Sequence, residues 1–261
     1  MTLMTINQKF RAVTAPFPGG EPTEAMLRVA EMFGLGIDEA YEVTLYDGLR
    51  LDVRPGDVVF VTGPSGGGKS VLLRQLEAAI REAPGPAARV VSLADDLPAG
   101  RPVIELMRPP LERALRVLSL AGLADAFLLF RTAAELSDGQ RYRLRLARAI
   151  EALLTDGPGP AADPARADDA GPSPAPGAAA PPPAWRVLVA DEFCSTLDRL
   201  CARAVAYRAR RLASAEGVTV LAASAHDDLL EDLAPDVLVV KDVGRRVEVR
   251  YADASRAEGR P

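Results

Sequence analysis

The 261-residue chain is poor in several features, and each shortage narrows what it can be. It has two cysteines, Cys194 and Cys201. Their spacing is neither a zinc motif nor a disulfide framework, so both are expected as reduced thiols in a packed interior. No apolar run approaches the ~20 residues needed to span a bilayer. The opening MTLMTINQKF lacks the basic region and apolar core of a signal peptide. A cytoplasmic chain is the expectation. Positive charge is also in deficit, with 31 Lys and Arg against 36 Asp and Glu, a net −5. That argues against nucleic-acid or anionic-membrane binding by the bulk field and leaves only a local basic stripe to consider. No internal repeat is visible.

What remains is ordinary for a globular protein: 48% hydrophobic and 26% charged residues, in a length that fits one sizeable core or two small domains. Residues 1–39 read as an N-terminal extension, with a loop at PFPGGEP and a helix from Thr23 to Phe33 ended by glycine. Short apolar segments follow in YEVTLYDGLRLDV. VVFVTG then reads as a buried strand and Ser70 to Glu82 as a helix. Arg89 to Ala94 is a strand candidate, and Arg101 to Glu135 reads as helical. Arg186 to Phe193 is a strand, Leu197 to Glu216 a helix and Val218 to Ala225 a strand. Two further strand segments lie at Val237 to Val240 and Arg246 to Tyr251, before a flexible tail over 252–261. Strands alternating with helices mean an α/β fold with a mostly parallel sheet and helices on both faces. Ligands in such folds sit at the carboxyl ends of strands.

One segment breaks the rhythm. Residues 157–184 hold 9 Pro, 10 Ala and 4 Gly among 28 and carry no core-forming side chains. They are expected to be a disordered insertion within one domain, a docking peptide being the alternative.

GPSGGGKS, Gly63 to Ser70, fits G-x-x-x-x-G-K-[ST] between a strand and a helix, which is the context the pattern requires. Its residues Gly63, Pro64, Ser65, Gly66, Gly67, Gly68, Lys69 and Ser70, with Val71 beside them, form a candidate phosphate cradle. Glycines let successive backbone N–H groups point into one concavity, and the helix N-terminus adds partial positive charge. Lys69 would reach the β- and γ-phosphates, and the Ser70 hydroxyl would ligate Mg²⁺. The alternative is a glycine-rich turn with an accidental lysine. Further on, VLVADE is a strand that delivers two carboxylates to the same sheet edge. Asp191 can hold Mg²⁺, and Glu192 can polarise an attacking water. His226, the single histidine, ends VTVLAASA where a γ-phosphate would lie, although a lone histidine is more often structural.

ELSDGQ precedes an Arg-rich helix. Ser137 is a good N-cap, and the N–H groups around Ser137 and Gly139 make a second anion site. Arg141, Arg145 and Arg148 form a stripe, read as a solvated face. In order, GPSGGGKS, LSDGQ, VLVADE, STLD and His226 resemble the ATP-binding cassette (ABC) ATPases over roughly residues 40–245, in the family's order of Walker A, signature, Walker B, D-loop and H-loop. The segments DEFCSTLDR and AHDDLLEDL more weakly resemble soluble ABC-type ATPases related to those fused to acetyltransferase domains. The family resemblance implies a P-loop NTPase domain over 40–251. Such a domain has an antiparallel β segment on its N-terminal side and a short helical subdomain at about 97–136. It also implies ATP and Mg²⁺ as cofactors and a homodimer that sandwiches ATP. In that dimer Ser137, Gly139 and Gln140 of one copy would act on the phosphate held by the other, with Asp198 at the interface. Tyr41, or alternatively Tyr46, would stack on adenine.

The chain departs from the family pattern in places. VVSLADDLPAG lacks the usual Gln, for which Asp95 or Asp96 could stand in. The signature carries Asp138, and Phe193 follows Glu192 where Pro is usual. The expected function is ATP binding and Mg-dependent hydrolysis that drives conformational change in a soluble protein partner. The alternative is the nucleotide-binding subunit of a membrane ABC transporter with a separate spanning chain. A nucleic-acid-linked ATPase is disfavoured by net acidity. A module that holds ATP without turnover is disfavoured by Glu192 and His226.

Overall fold

A computed structural model describes residues 2–13, 23–34, 40–83, 88–93, 96–155, 185–242 and 246–256. The insertion at 157–184 lies outside them. The chain builds a six-stranded sheet and a two-stranded one. In the smaller, β1 (Thr2–Val13) pairs antiparallel with β2 (Ala40–Val53), from Thr2 opposite Val53 to Val13 opposite Ala40. Residues 2–13, expected within an extension preceding the cassette, are therefore a strand of its N-terminal β segment. Met4 and Ile6 point into the core. Between these strands α1 (Glu24–Phe33) starts at the Thr23 cap and stops at the left-handed Gly34.

The larger sheet holds β3 (Val58–Thr62), β4 (Ala88–Ser92), β5 (Trp185–Ala190), β6 (Val218–Ser224), β7 (Val237–Lys241) and β8 (Val247–Tyr251), ordered β4-β5-β6-β3-β7-β8. All neighbours are parallel except β7 with β8. β3 and β6 are buried along their whole length, as central strands covered on both faces must be. Side chains alternate between two cores. Val58 and Phe60 join one with α5 (Asp138–Leu154) and α6 (Arg199–Glu216). Val59 and Val61 join the other with α2 (Lys69–Glu82) and the small sheet.

The stretch from Arg101 to Glu135 is not one helical run. It contains α3 (Leu111–Leu120), α4 (Ala126–Leu129) and two short 3₁₀ turns. Pro109 and Pro110 lack the N–H groups that would carry a helix through, and Gly122 turns the chain at φ 88°. The last helix, α7 (Leu230–Leu233), is a single turn beside α6.

The expected tail begins with an anchored segment. Arg256 donates to both oxygens of Asp57, at 2.8 and 3.1 Å, and both side chains are more than nine-tenths buried. Asp57 lies just ahead of β3, so this pair ties the end of the chain to the central strand. Arg256→Ala would leave the Asp57 carboxylate buried with only the Arg54 N–H as donor. Breaking such a pair costs several kcal/mol, and here a loss of about 2–3 kcal/mol is expected in urea unfolding at neutral pH, with an unchanged m-value.

Candidate functional site

The glycine-rich loop leaves β3 and turns back under itself. An ideal Cβ on Gly63 would lie 1.9 Å from the Lys241 carbonyl oxygen, so only glycine lets the loop pass β7 this closely. Gly68 caps α2 in the left-handed region, at φ 91°. The Lys69 ammonium donates to the carbonyls of Gly63 and Pro64, both at 2.8 Å, closing the loop into a ring.

Tyr46 holds this loop from beneath. It is 1% exposed, and its hydroxyl donates to the Gly68 carbonyl at 3.0 Å. Burial pushes its phenol well above the ordinary range. Tyr46 therefore cannot stack on an adenine ring, which corrects one of the two sequence alternatives. The other, Tyr41, lies in β2, and its side chain is outside the described residues.

A cavity of about 570 Å³ opens above the loop. Ser65, Gly66, Gly68, Lys69, Ser70 and Val71 line it together with Asp191, Glu192 and His226. Gly63 and Pro64 border a second cavity behind the loop, and Gly67 is buried. The parallel register explains the convergence. β3, β5 and β6 run side by side and end at one edge, so the residues after Thr62, Ala190 and Ser224 share one mouth. Leu45, Ser195, Ser224 and Ala225 also line the cavity and were not anticipated. Ser195 opens STLD and Ser224 and Ala225 precede His226, whereas Leu45 comes from the small sheet and carries no local signal.

β5 stops at Ala190, three residues earlier than the sequence suggests. Glu192 and Cys194 adopt positive φ, 50° and 61°, and turn the chain. Phe193 is fully buried beneath the turn, with its N–H bonded to the Ala223 carbonyl. The Cys194 thiol is buried and pushed up to about 12 by that burial, so it is an unreactive packing group. Cys201 is also free and half-buried.

Ser137, Gly139, Gln140 and Asp198 do not line the cavity. They gather elsewhere on the chain. Ser137 and Gln140 cap each other: Gln140 N–H donates to Ser137 Oγ at 3.3 Å, and Ser137 N–H donates to the Gln140 side chain at 3.0 Å. A Cβ on Gly139 would meet Leu197 Cδ2 at 3.2 Å and the Thr196 carbonyl at 3.4 Å, so glycine lets the start of α5 rest on the STLD segment. Asp198 caps α6. Hydrogen bonds from Cys201, side chain first and backbone second, hold its carboxyl below the ordinary range. Of the candidates for the missing glutamine, Asp95 lies outside the described residues. Asp96 is exposed and does not line the cavity.

Among the described residues no three His, Cys, Asp or Glu side chains gather to bind a metal by themselves. A magnesium ion carried on nucleotide phosphates needs no such cluster. One hydroxyl and one carboxylate facing the phosphates suffice, and Ser70 and Asp191 on the same cavity fit that role.

No protein-family model matches the chain. Methionine import ATP-binding protein MetN of Streptomyces coelicolor is 29% identical over 245 residues, covering 79% of this chain and 60% of that protein. Aliphatic sulfonates import ATP-binding protein SsuB 1 of Rhodococcus jostii is 35% identical over 144 residues, covering 48% and 58% respectively. The chain is similar in sequence to these ATP-binding proteins. It spans about three fifths of the length of these two relatives. The cassette also shares its fold with a bacterial ABC transporter cassette solved as a dimer. The TM-score is 0.52 at 17% identity, over 80% of this chain and 91% of that one. No described helix is long and apolar enough to cross a membrane.

The loop's geometry generates a contrast between two glycines of the cassette. Gly66 has open space around a Cβ but a φ of 76°, so Gly66→Ala should cost only the left-handed penalty of about 1–2 kcal/mol. Gly63→Ala drives a methyl into the β7 backbone and should lower stability by clearly more. Thermal unfolding of the two variants side by side checks this; equal effects would mean that the loop can shift away from Lys241 freely.

Proposed function

We propose that this chain is the nucleotide-binding subunit of a membrane ABC transporter whose spanning part is a separate chain, and that two copies bind and hydrolyse ATP between them. The observation that carries the reading is the half-built site. Phosphate loop, Asp191, Glu192 and His226 share one cavity, while Ser137, Gly139 and Gln140 stand outside it. A second copy, turned to face the first, would bring its signature over the open side.

In this reading the loop N–H groups and the α2 N-terminus bind the β- and γ-phosphates. Lys69 exchanges its two carbonyl partners for phosphate oxygens. Ser70 and Asp191 would hold Mg²⁺, which would supply charge neutralisation for the phosphates. Glu192 accepts a proton from the attacking water, and His226 donates a hydrogen bond to the γ-phosphate. Ser137, Gly139 and Gln140 of the other copy close over that phosphate, and Asp198 sits at the junction. Once the bond to the γ-phosphate is cut, nothing bridges the two copies and they separate.

The sequence reading favoured a soluble partner. Two observations support the transporter instead. The relatives are import subunits. The helical part also exposes Phe127 at 81% and Phe130 at 75%, with Leu111 and Leu115 nearby in sequence on α3. Apolar surface of this kind suits a segment of a partner protein. Methionine and sulfonates are different cargoes, so the reading names none.

Glu192→Gln keeps shape but removes the base. Its light-scattering mass should double with Mg-ATP and remain single with Mg-ADP, while hydrolysis falls by at least about a hundredfold. A single mass at saturating ATP would overturn the sandwich. Co-purification in detergent with an integral membrane protein distinguishes the transporter subunit from a cassette with a soluble partner.

A further inference from the structure

We infer that Tyr142, one turn into α5, is a positioning residue for Glu192: its hydroxyl holds the left-handed turn that aims the carboxylate into the cavity. The inference rests on the reading of Glu192 as the base. Its argument is the hydrogen bonding of the turn. Two non-glycine residues, Glu192 and Cys194, have positive φ. Left-handed backbone is strained for a residue that carries a Cβ, so the turn persists only where its surroundings dictate it.

The turn's N–H groups are satisfied as follows. Glu192 N–H reaches Asp191 Oδ1 at 3.0 Å, and Ser195 N–H reaches the Glu192 carbonyl at 3.0 Å. Both bonds lie within the segment and would survive if it swung as a unit. Phe193 N–H bonds to the Ala223 carbonyl on β6 at 2.6 Å, and Cys194 N–H bonds to Tyr142 Oη at 3.0 Å. These two tie the turn to the rest of the protein. The first fixes it to the neighbouring strand. The second fixes it to α5, from a ring buried in the core at 7% exposure. A ring packed this way gives its hydroxyl little freedom to follow a moving turn.

The placement of α5 gives the bond a second consequence. The first turn of this helix carries Ser137, Gly139 and Gln140. In the proposed sandwich those residues face the partner's phosphate, while Glu192 serves the chain's own. Tyr142 thus joins the part of the chain that senses one nucleotide to the carboxylate that acts on the other.

The test compares the full chain with Tyr142→Phe and Glu192→Gln. It measures kcat, the Kd of ATP from a fluorescent analogue, and peptide-level hydrogen exchange. Tyr142→Phe keeps the ring and removes one oxygen. The expectation is a kcat about tenfold to a hundredfold lower with ATP affinity unchanged, because small misplacements of a reacting group have effects of that size. Exchange should accelerate in the peptide covering 191–195 and not in α2 or β3. An unchanged kcat, a matching loss of ATP affinity, or faster exchange spread through α5 would overturn the inference while leaving Glu192 as the base. Hydrolysis by Glu192→Gln at the parent rate would overturn the reading of Glu192 and this inference with it.

Discussion

The site depends first on a steric vacancy. Where the chain leaves β3 it passes so close to the Lys241 carbonyl that a methyl on Gly63 would overlap it. That close passage seats the loop against β7. The supports are arranged around it. Tyr46 bonds to Gly68 from below, and the Lys241 ammonium lies 5.5 Å over the Tyr46 ring. A buried cation on an aromatic face adds about 1–2 kcal/mol when desolvated, and here it also fills the space beneath the glycines. The loop is therefore supported from the core on two sides.

Sheet order supplies the rest of the half-site. β4 through β7 are parallel, so their carboxyl ends share an edge, and the order places β3 beside β6 with β5 next to it. Asp191, Glu192 and His226 are carried to the loop by hydrogen-bonded register and not by flexible connections. Central strands buried on both faces resist sliding, because a one-residue slip would exchange Val59 and Val61 for Val58 and Phe60 between the two cores.

Much of this was legible in sequence because the chemistry is local. GPSGGGKS between VVFVT and an amphipathic helix leaves few conformations, and VLVADE names its own strand and its acids. What sequence did not carry is distant or conformational. The pairing of Thr2 with Val53, and of Arg256 with Asp57, joins residues that share no periodic pattern. The left-handed turn at Glu192 and Cys194 has no glycine to announce it, so the apolar pattern alone carries the strand on to Phe193. Tyr142 carries no local signal, since its bond to the Cys194 N–H exists only in the folded core. The breaks in 101–135 were readable, because Pro109, Pro110 and Gly122 interrupt any helix.

The signature's acidic residue can be judged by charge rather than by its departure from pattern. Asp138 sits at the first helical position of α5, where a carboxylate is favoured by the helix dipole but would oppose an incoming phosphate. Arg141, one turn on, bonds both to the Asp138 carboxylate and to the Leu136 carbonyl, the latter at 2.7 Å. The pair is exposed on the Asp138 side and contributes at most about 1 kcal/mol to folding. Its electrostatic effect is larger than its stability effect. A carboxylate alone at about 4 Å from a phosphate charge would repel it by roughly 1–4 kcal/mol, depending on how far water is excluded. A carboxylate in contact with a guanidinium presents a dipole, whose field falls off faster than that of a lone charge. Asp138 is thus answered from within its own helix. In the proposed sandwich this arrangement would be compatible with closure over the other copy's phosphate, and that compatibility would turn on Arg141.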